Sequence, residues 1–150
     1  MHFVFDLNTI RSAWSGANPR GTPELHPAIL FLQVANKGHR IVVTKEMDSR
    51  YVQLFDELKN ASRQGPAALN IVHLYYTLKL MGKVDDSRCS ADVPPLSEES
   101  RIKDEDKEFA RLANLTRAVL VTYDEPLIRE LTDIGVQAVL PEHAVILADP

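Results

Sequence analysis

The chain has 150 residues, 45% hydrophobic and 25% charged, with a formal net charge of −4; that describes one ordinary soluble globular domain with a core of its own. The acidic balance gives no general electrostatic footprint for nucleic acid, although bound metal would cancel several acids locally. One cysteine, Cys89, excludes an internal disulfide, no Cys/His spacing resembles a zinc site, and no apolar run approaches the roughly 20 residues of a membrane helix.

Residues 3–5 (Phe-Val-Phe) read as a first strand that stops at Asp6. Asp6 interrupts the apolar run too early for a signal peptide, so the cytoplasm is the expected compartment. A short helix begins within 9–15, a Gly/Pro/Asn-rich loop covers 16–23, and 27–36 is a mostly apolar helix closed by Lys37-Gly38. A second strand occupies 40–43, with Thr44 as N-cap of a helix over about 45–62, whose inward face is Met47, Tyr51, Leu54, Phe55 and Leu58. Gly65-Pro66 breaks the chain before a helix over 67–81, with Leu69, Val72, Leu74, Tyr76, Leu78 and Leu80 as a blurred face. Residues 83–101 read as a surface connection, with a short strand near 91–93. Phe109, Leu112, Ala113 and Thr116 mark the next helix, one of Asp104, Glu105 and Asp106 being its N-cap. It runs into a strand over 118–122. Asp124 then caps a helix with Pro126 in its first turn, and 136–140 is the last strand. The order β-α-β-α-α-α-β-α-β predicts a parallel sheet covered by helices, as one domain over 1–150.

Short continuous apolar runs are buried strands of a parallel sheet, and ligands bind such sheets beyond the strands' carboxyl ends. Three runs stop at or just before an acid: Asp6, Glu46 and Asp124. Each acid has a structural reading as well, as a helix cap or a first-turn carboxylate favoured by the dipole. Asp106 joins them as the acid sharing the core side with Ala113; Asp104 competes with it, and Asp48 is the substitute for Glu46. Two carboxylates about 5 Å apart repel by roughly 3 kcal/mol at an effective dielectric near 20. Four converging acids therefore call for a cation, and hard oxygen ligands suit Mg²⁺ or Mn²⁺, which activate water and stabilise charge on a phosphodiester. Asn8 could orient Asp6, and Thr122 could bond a water of the ion. Trp14 and Tyr51 suit either a stacked base or the core. Lys37, Arg40, Lys45 and Arg50 suit either phosphates or a solvated face.

Three stretches resemble the motifs of the PIN-domain family: Phe3-Val4-Phe5-Asp6-Leu7-Asn8-Thr9-Ile10, Asp106 to Ala113, and Leu120-Val121-Thr122-Tyr123-Asp124-Glu125-Pro126-Leu127. The resemblance implies a three-layer α/β/α sandwich around a central, mainly parallel sheet of four or five strands, and a metal-dependent ribonuclease of the toxin type. Asp6, Glu46, Asp106 and Asp124 would be its metal-binding acids, supported by Asn8, Thr122 and Asp104. It also implies an RNA substrate, and brings an antitoxin protein and a homodimer into view as partners. Two departures stand out. Residues 83–103 are longer and more polar than in a compact toxin-type member, and Arg50, directly before Tyr51, holds the place where many members carry their second acid. The rival readings are a phosphatase of the haloacid dehalogenase type, in which Asn8 would replace the acid–base aspartate, and a binding module with an idle site.

Overall fold

Phe3, Val4 and Phe5 have no exposed surface; their strand, β1 (His2–Phe5), is the middle of a five-stranded sheet. The computed structural model describes residues 1–60 and 68–149. Its other strands are β2 (Arg40–Thr44), β3 (Val84–Arg88), β4 (Val119–Val121) and β5 (Ala138–Val139). All neighbours run parallel, in the order β3-β2-β1-β4-β5. The helices are α1 (Leu7–Ser15), α2 (His26–Asn36), α3 (Lys45–Asn60), α4 (Ala68–Leu80), α5 (Asp104–Thr116), α6 (Glu125–Asp133) and α7 (Pro141–Leu147). The three-layer α/β/α arrangement that the resemblance implies is present. α1, α2, α4 and α7 pack on one another, and α5 lies across β1, β2 and β4. The crossover containing α5 runs the opposite way along the sheet, so a right-handed connection puts it on the other face.

Strand order reverses between β1 and β4. Such a reversal opens a crevice at the carboxyl ends of the two strands. α5 precedes β4 and runs back against the strands, so its N-terminus also reaches that edge.

Several expectations change. The fifth strand is Val84–Arg88, inside the stretch read as a connection, while Ser90–Asp92 forms a 3-10 turn and not a strand. β3 is an edge strand and is mostly half-exposed, so it needs no apolar run. α7 was not foreseen. The first helix begins at Leu7, ahead of the expected 9–15, with Asp6 as its N-cap, so Asn8 is helical. Lys103, and none of the three acids that follow, is the N-cap of α5. In α4 the buried positions are Ile71, Val72, Tyr75 and Leu78, while Tyr76 and Leu80 face outward. Trp14 and Tyr51 are core residues and offer no surface to a base. The break at Gly65-Pro66 and the face at Leu69 lie outside the described residues or side chains.

Tyr51 ties α3 to the sheet: its fully buried hydroxyl donates to the Phe5 carbonyl, the last of β1. Burial holds the phenol firmly protonated. Tyr51→Phe leaves that carbonyl short of a partner, and the expected loss is about 1–3 kcal/mol in urea unfolding.

Candidate active site

Asp6 lies at the end of β1 and is 8% exposed. One carboxylate oxygen accepts the Leu7 N–H at 2.6 Å, and the other accepts the Thr122 hydroxyl at 2.7 Å. Thr122 is fully buried. Its oxygen also accepts from Asn8 Nδ2 at 3.3 Å and from the Asp124 N–H at 3.1 Å. One hydroxyl thus links the ends of β1 and β4, and its single proton goes to Asp6. Asn8 completes the clasp, its Oδ1 accepting the Tyr123 N–H at 3.3 Å. Asp124 caps α6 by accepting the Leu127 N–H through Oδ1 at 3.1 Å.

Asp106 sits half-exposed in the first turn of α5. A small cavity of about 90 Å³ is lined by Asp106 and Asp124 together, with Arg101, Lys103 and Glu130 among the other walls. Burial, then the negative charges of Asp6 and Asp124, push the Asp106 carboxyl up to about 6. Burial also raises Asp6, with Asp124 adding to the effect, while the Thr122 and Leu7 hydrogen bonds and the Arg50 charge pull the other way. Asp106 therefore senses both Asp6 and Asp124, and Asp6 senses Asp124. Among the described residues none of the three has a basic ion-pair partner.

The other acids are engaged differently. Glu46 is exposed; it accepts from the Ser90 backbone N–H at 2.8 Å and lies 3.0 Å from the Ser90 hydroxyl, for whose single proton it competes with Glu108. These bonds hold its carboxyl below the usual range. Asp48 takes the Tyr75 hydroxyl at 2.5 Å and Lys79 at 2.7 Å. Asp104 points into solvent and pairs with Lys107 at 2.7 Å. Of Asp104 and Asp106, Asp106 is the one coupled to Asp6 and Asp124.

A group that sequence reasoning did not single out is Glu108. One of its oxygens accepts from Thr44 Oγ1 at 2.9 Å and from the Ser90 hydroxyl, while the other meets Arg50 Nη2. A usable signal was present: Arg50-Tyr51 and Glu108-Phe109 each place a charge directly before a buried aromatic.

The acids suit a hard dication in charge and donor type, since mutual repulsion among Asp6, Asp106 and Asp124 is what a bound cation would relieve. Among the described residues, no three His, Cys, Asp or Glu side chains already enclose an ion position. The fit is therefore one of chemistry and not of a finished cage.

The raised Asp106 carboxyl has a signed consequence. Between the ordinary value of 3.8 and about 6, the folded chain binds more protons than the unfolded one. Its stability from this group therefore falls as pH rises through that window and returns on acidification. Metal-free protein is expected to melt a few degrees higher at the acid end of the window than above it, relative to Asp106→Asn. Differential scanning fluorimetry of the two proteins measures this.

A solved structure shares the arrangement: a PilT N-terminus domain protein from the hyperthermophilic archaeon Sulfolobus solfataricus P2. It superposes with a TM-score of 0.54 over 99% of this chain and 94% of its own, at 18% identity. The fold is PIN-like. No protein-family model matches the sequence, and no curated protein does. At that identity the PIN-like likeness carries the fold alone, with its five parallel strands and flanking helices. No helix among the described residues is long and apolar enough to cross a membrane.

Proposed function

We propose that this PIN-like protein is a divalent-metal-dependent nuclease that hydrolyses phosphodiester bonds, with RNA as its substrate class. One observation carries the reading: three aspartates come together from the end of β1, the start of α5 and the end of β4 at the strand-order reversal, where burial first, and then the charges of Asp6 and Asp124, lift Asp106 to about 6. Asp6, Asp106 and Asp124 would hold Mg²⁺ or Mn²⁺; Glu46 is the remaining candidate ligand, on condition that it releases Ser90. The bound ion supplies Lewis-acid chemistry and charge neutralisation at the phosphate.

The chain's own residues prepare that site. Leu7 N–H and Thr122 fix both Asp6 oxygens, so the carboxylate stays oriented although it is buried. Asn8 and the α6 cap hold Thr122 and Asp124 in register with it. Asn8 has no proton to shuttle, which weighs against the phosphatase reading, where that place needs an acid. The acids favour a phosphodiester as substrate, and its being RNA rests on the resemblance. An antitoxin, a second copy of the chain and a cytoplasmic setting rest on the resemblance or on composition.

The test offers purified protein a structured RNA and, separately, para-nitrophenyl phosphate, each with Mg²⁺ or Mn²⁺. RNA cleavage that EDTA abolishes is expected. Hydrolysis of the monoester alone would indicate a phosphatase, and binding without cleavage would indicate a module with an idle site.

A further inference from the structure

The carboxylate cluster has a cation at its border, and its placement goes further than the three acids do. Arg50 stands on α3 one residue before Tyr51, which anchors the helix to the carbonyl preceding Asp6. Its guanidinium carbon lies 5.0 Å from the centre of the Phe109 ring. Its Nη2 pairs with Glu108, itself held by Thr44 and Ser90. Elements from β2, α3, the 3-10 turn and α5 thus cooperate to fix one arginine. The side chain remains 35% exposed.

A guanidinium carries five N–H donors in a planar fork. Among the described residues its one hydrogen bond is the pair with Glu108. That leaves a stacked, part-exposed fork with spare donors. Asp6 senses its charge. A structural ion pair needs no such vacancy, whereas anion recognition does, because an arginine fork matches two phosphate oxygens at once.

The geometry points to Arg50 as a substrate-binding residue that grips a backbone phosphate of the RNA beside the aspartate cluster, with Glu108 as the residue that positions it. This rests on the nuclease reading for the identity of the substrate. It also gives the place of the family's second acid an opposite role, that of holding the anionic substrate instead of the ion.

The experiment measures binding of a fluorescein-labelled single-stranded RNA of mixed sequence by anisotropy, over a salt series, in an Asp6→Asn background. Arg50→Ala and Arg50→Lys are compared with that background, and all three are melted in parallel. Arg50→Ala is expected to weaken binding about tenfold and to flatten the slope of log affinity against log salt by about 0.7, the share of one phosphate contact on a single strand. Arg50→Lys keeps the charge and so the slope, but loses part of the affinity with the planar fork. In the active protein Arg50→Ala raises KM more than it lowers kcat. An Arg50→Ala slope equal to that of the background overturns the proposal, and a lower melting temperature alongside it would mark a purely structural ion pair. The two readings fail separately. Cleavage by the unsubstituted protein with an unchanged slope defeats the Arg50 role alone; a changed slope without any cleavage defeats the nuclease reading alone.

Discussion

Asp6→Asn is expected to lower RNA cleavage by about 10³-fold, because a metal ion's Lewis-acid contribution is several kcal/mol and each 1.36 kcal/mol is tenfold in rate. The same change should move the melting temperature little, because the buried charge it removes and the Thr122 hydrogen bond it gives up act in opposite directions. Asparagine caps a helix as well as aspartate does, so the Leu7 N–H keeps an acceptor. The amide also removes a buried charge that burial and Asp124 both disfavour. A loss of folding together with activity would mean that Asp6 is a structural cap first. Cleavage that survives at the unsubstituted rate in a clean preparation would end the proposed mechanism.

Saturating Mn²⁺ or Mg²⁺ is the second large effect. A ligand at 100 times its Kd stabilises the native state by about 2.7 kcal/mol. For a chain of this size each kcal/mol shifts the midpoint by roughly 2–4 °C, so a rise of about 5–10 °C is expected above pH 7. The rise should shrink below pH about 6, where protons compete for Asp106. It should be lost in Asp106→Asn and in Asp124→Asn, and kept in Asp104→Asn, whose carboxylate faces solvent beside Lys107. A full shift in Asp106→Asn would remove that residue from the ion's ligands.

The parts of this fold legible in the sequence are those where burial dictates composition. β1, β2 and β4 are central strands covered on both faces, so Phe3-Val4-Phe5, Ile41-Val42-Val43 and Val119-Leu120-Val121 had to be apolar. Their ends were legible for the same reason, since Asp6 and Asp124 interrupt that pattern abruptly. β3 was hidden because an edge strand such as Val-Asp-Asp-Ser-Arg can leave most of its side chains near water. α7 is a seven-residue helix opened by Pro141, too short for periodicity to declare itself.

The site divides along the same line. Local spacing pointed to Asp106, because its face of α5 is written in residues 106–113. The Asp6–Thr122 bond was only half visible: each partner stood out alone, yet their meeting depends on β1 pairing with β4. The Glu108 network was hinted at only by the charges placed before Tyr51 and Phe109, since Thr44, Arg50, Ser90 and Glu108 come from four elements that the fold alone brings together.

The hydroxyl that joins Asp6 to the far strand spans 116 positions of the chain. Nothing resembling a working centre exists, then, until synthesis has passed Asp124 and β4 has docked beside the first-made strand. On the nuclease reading proposed above, nascent fragments would spare the transcript being read, and a lesion that loosens β4 from β1 would abolish cleavage before it unfolded the chain.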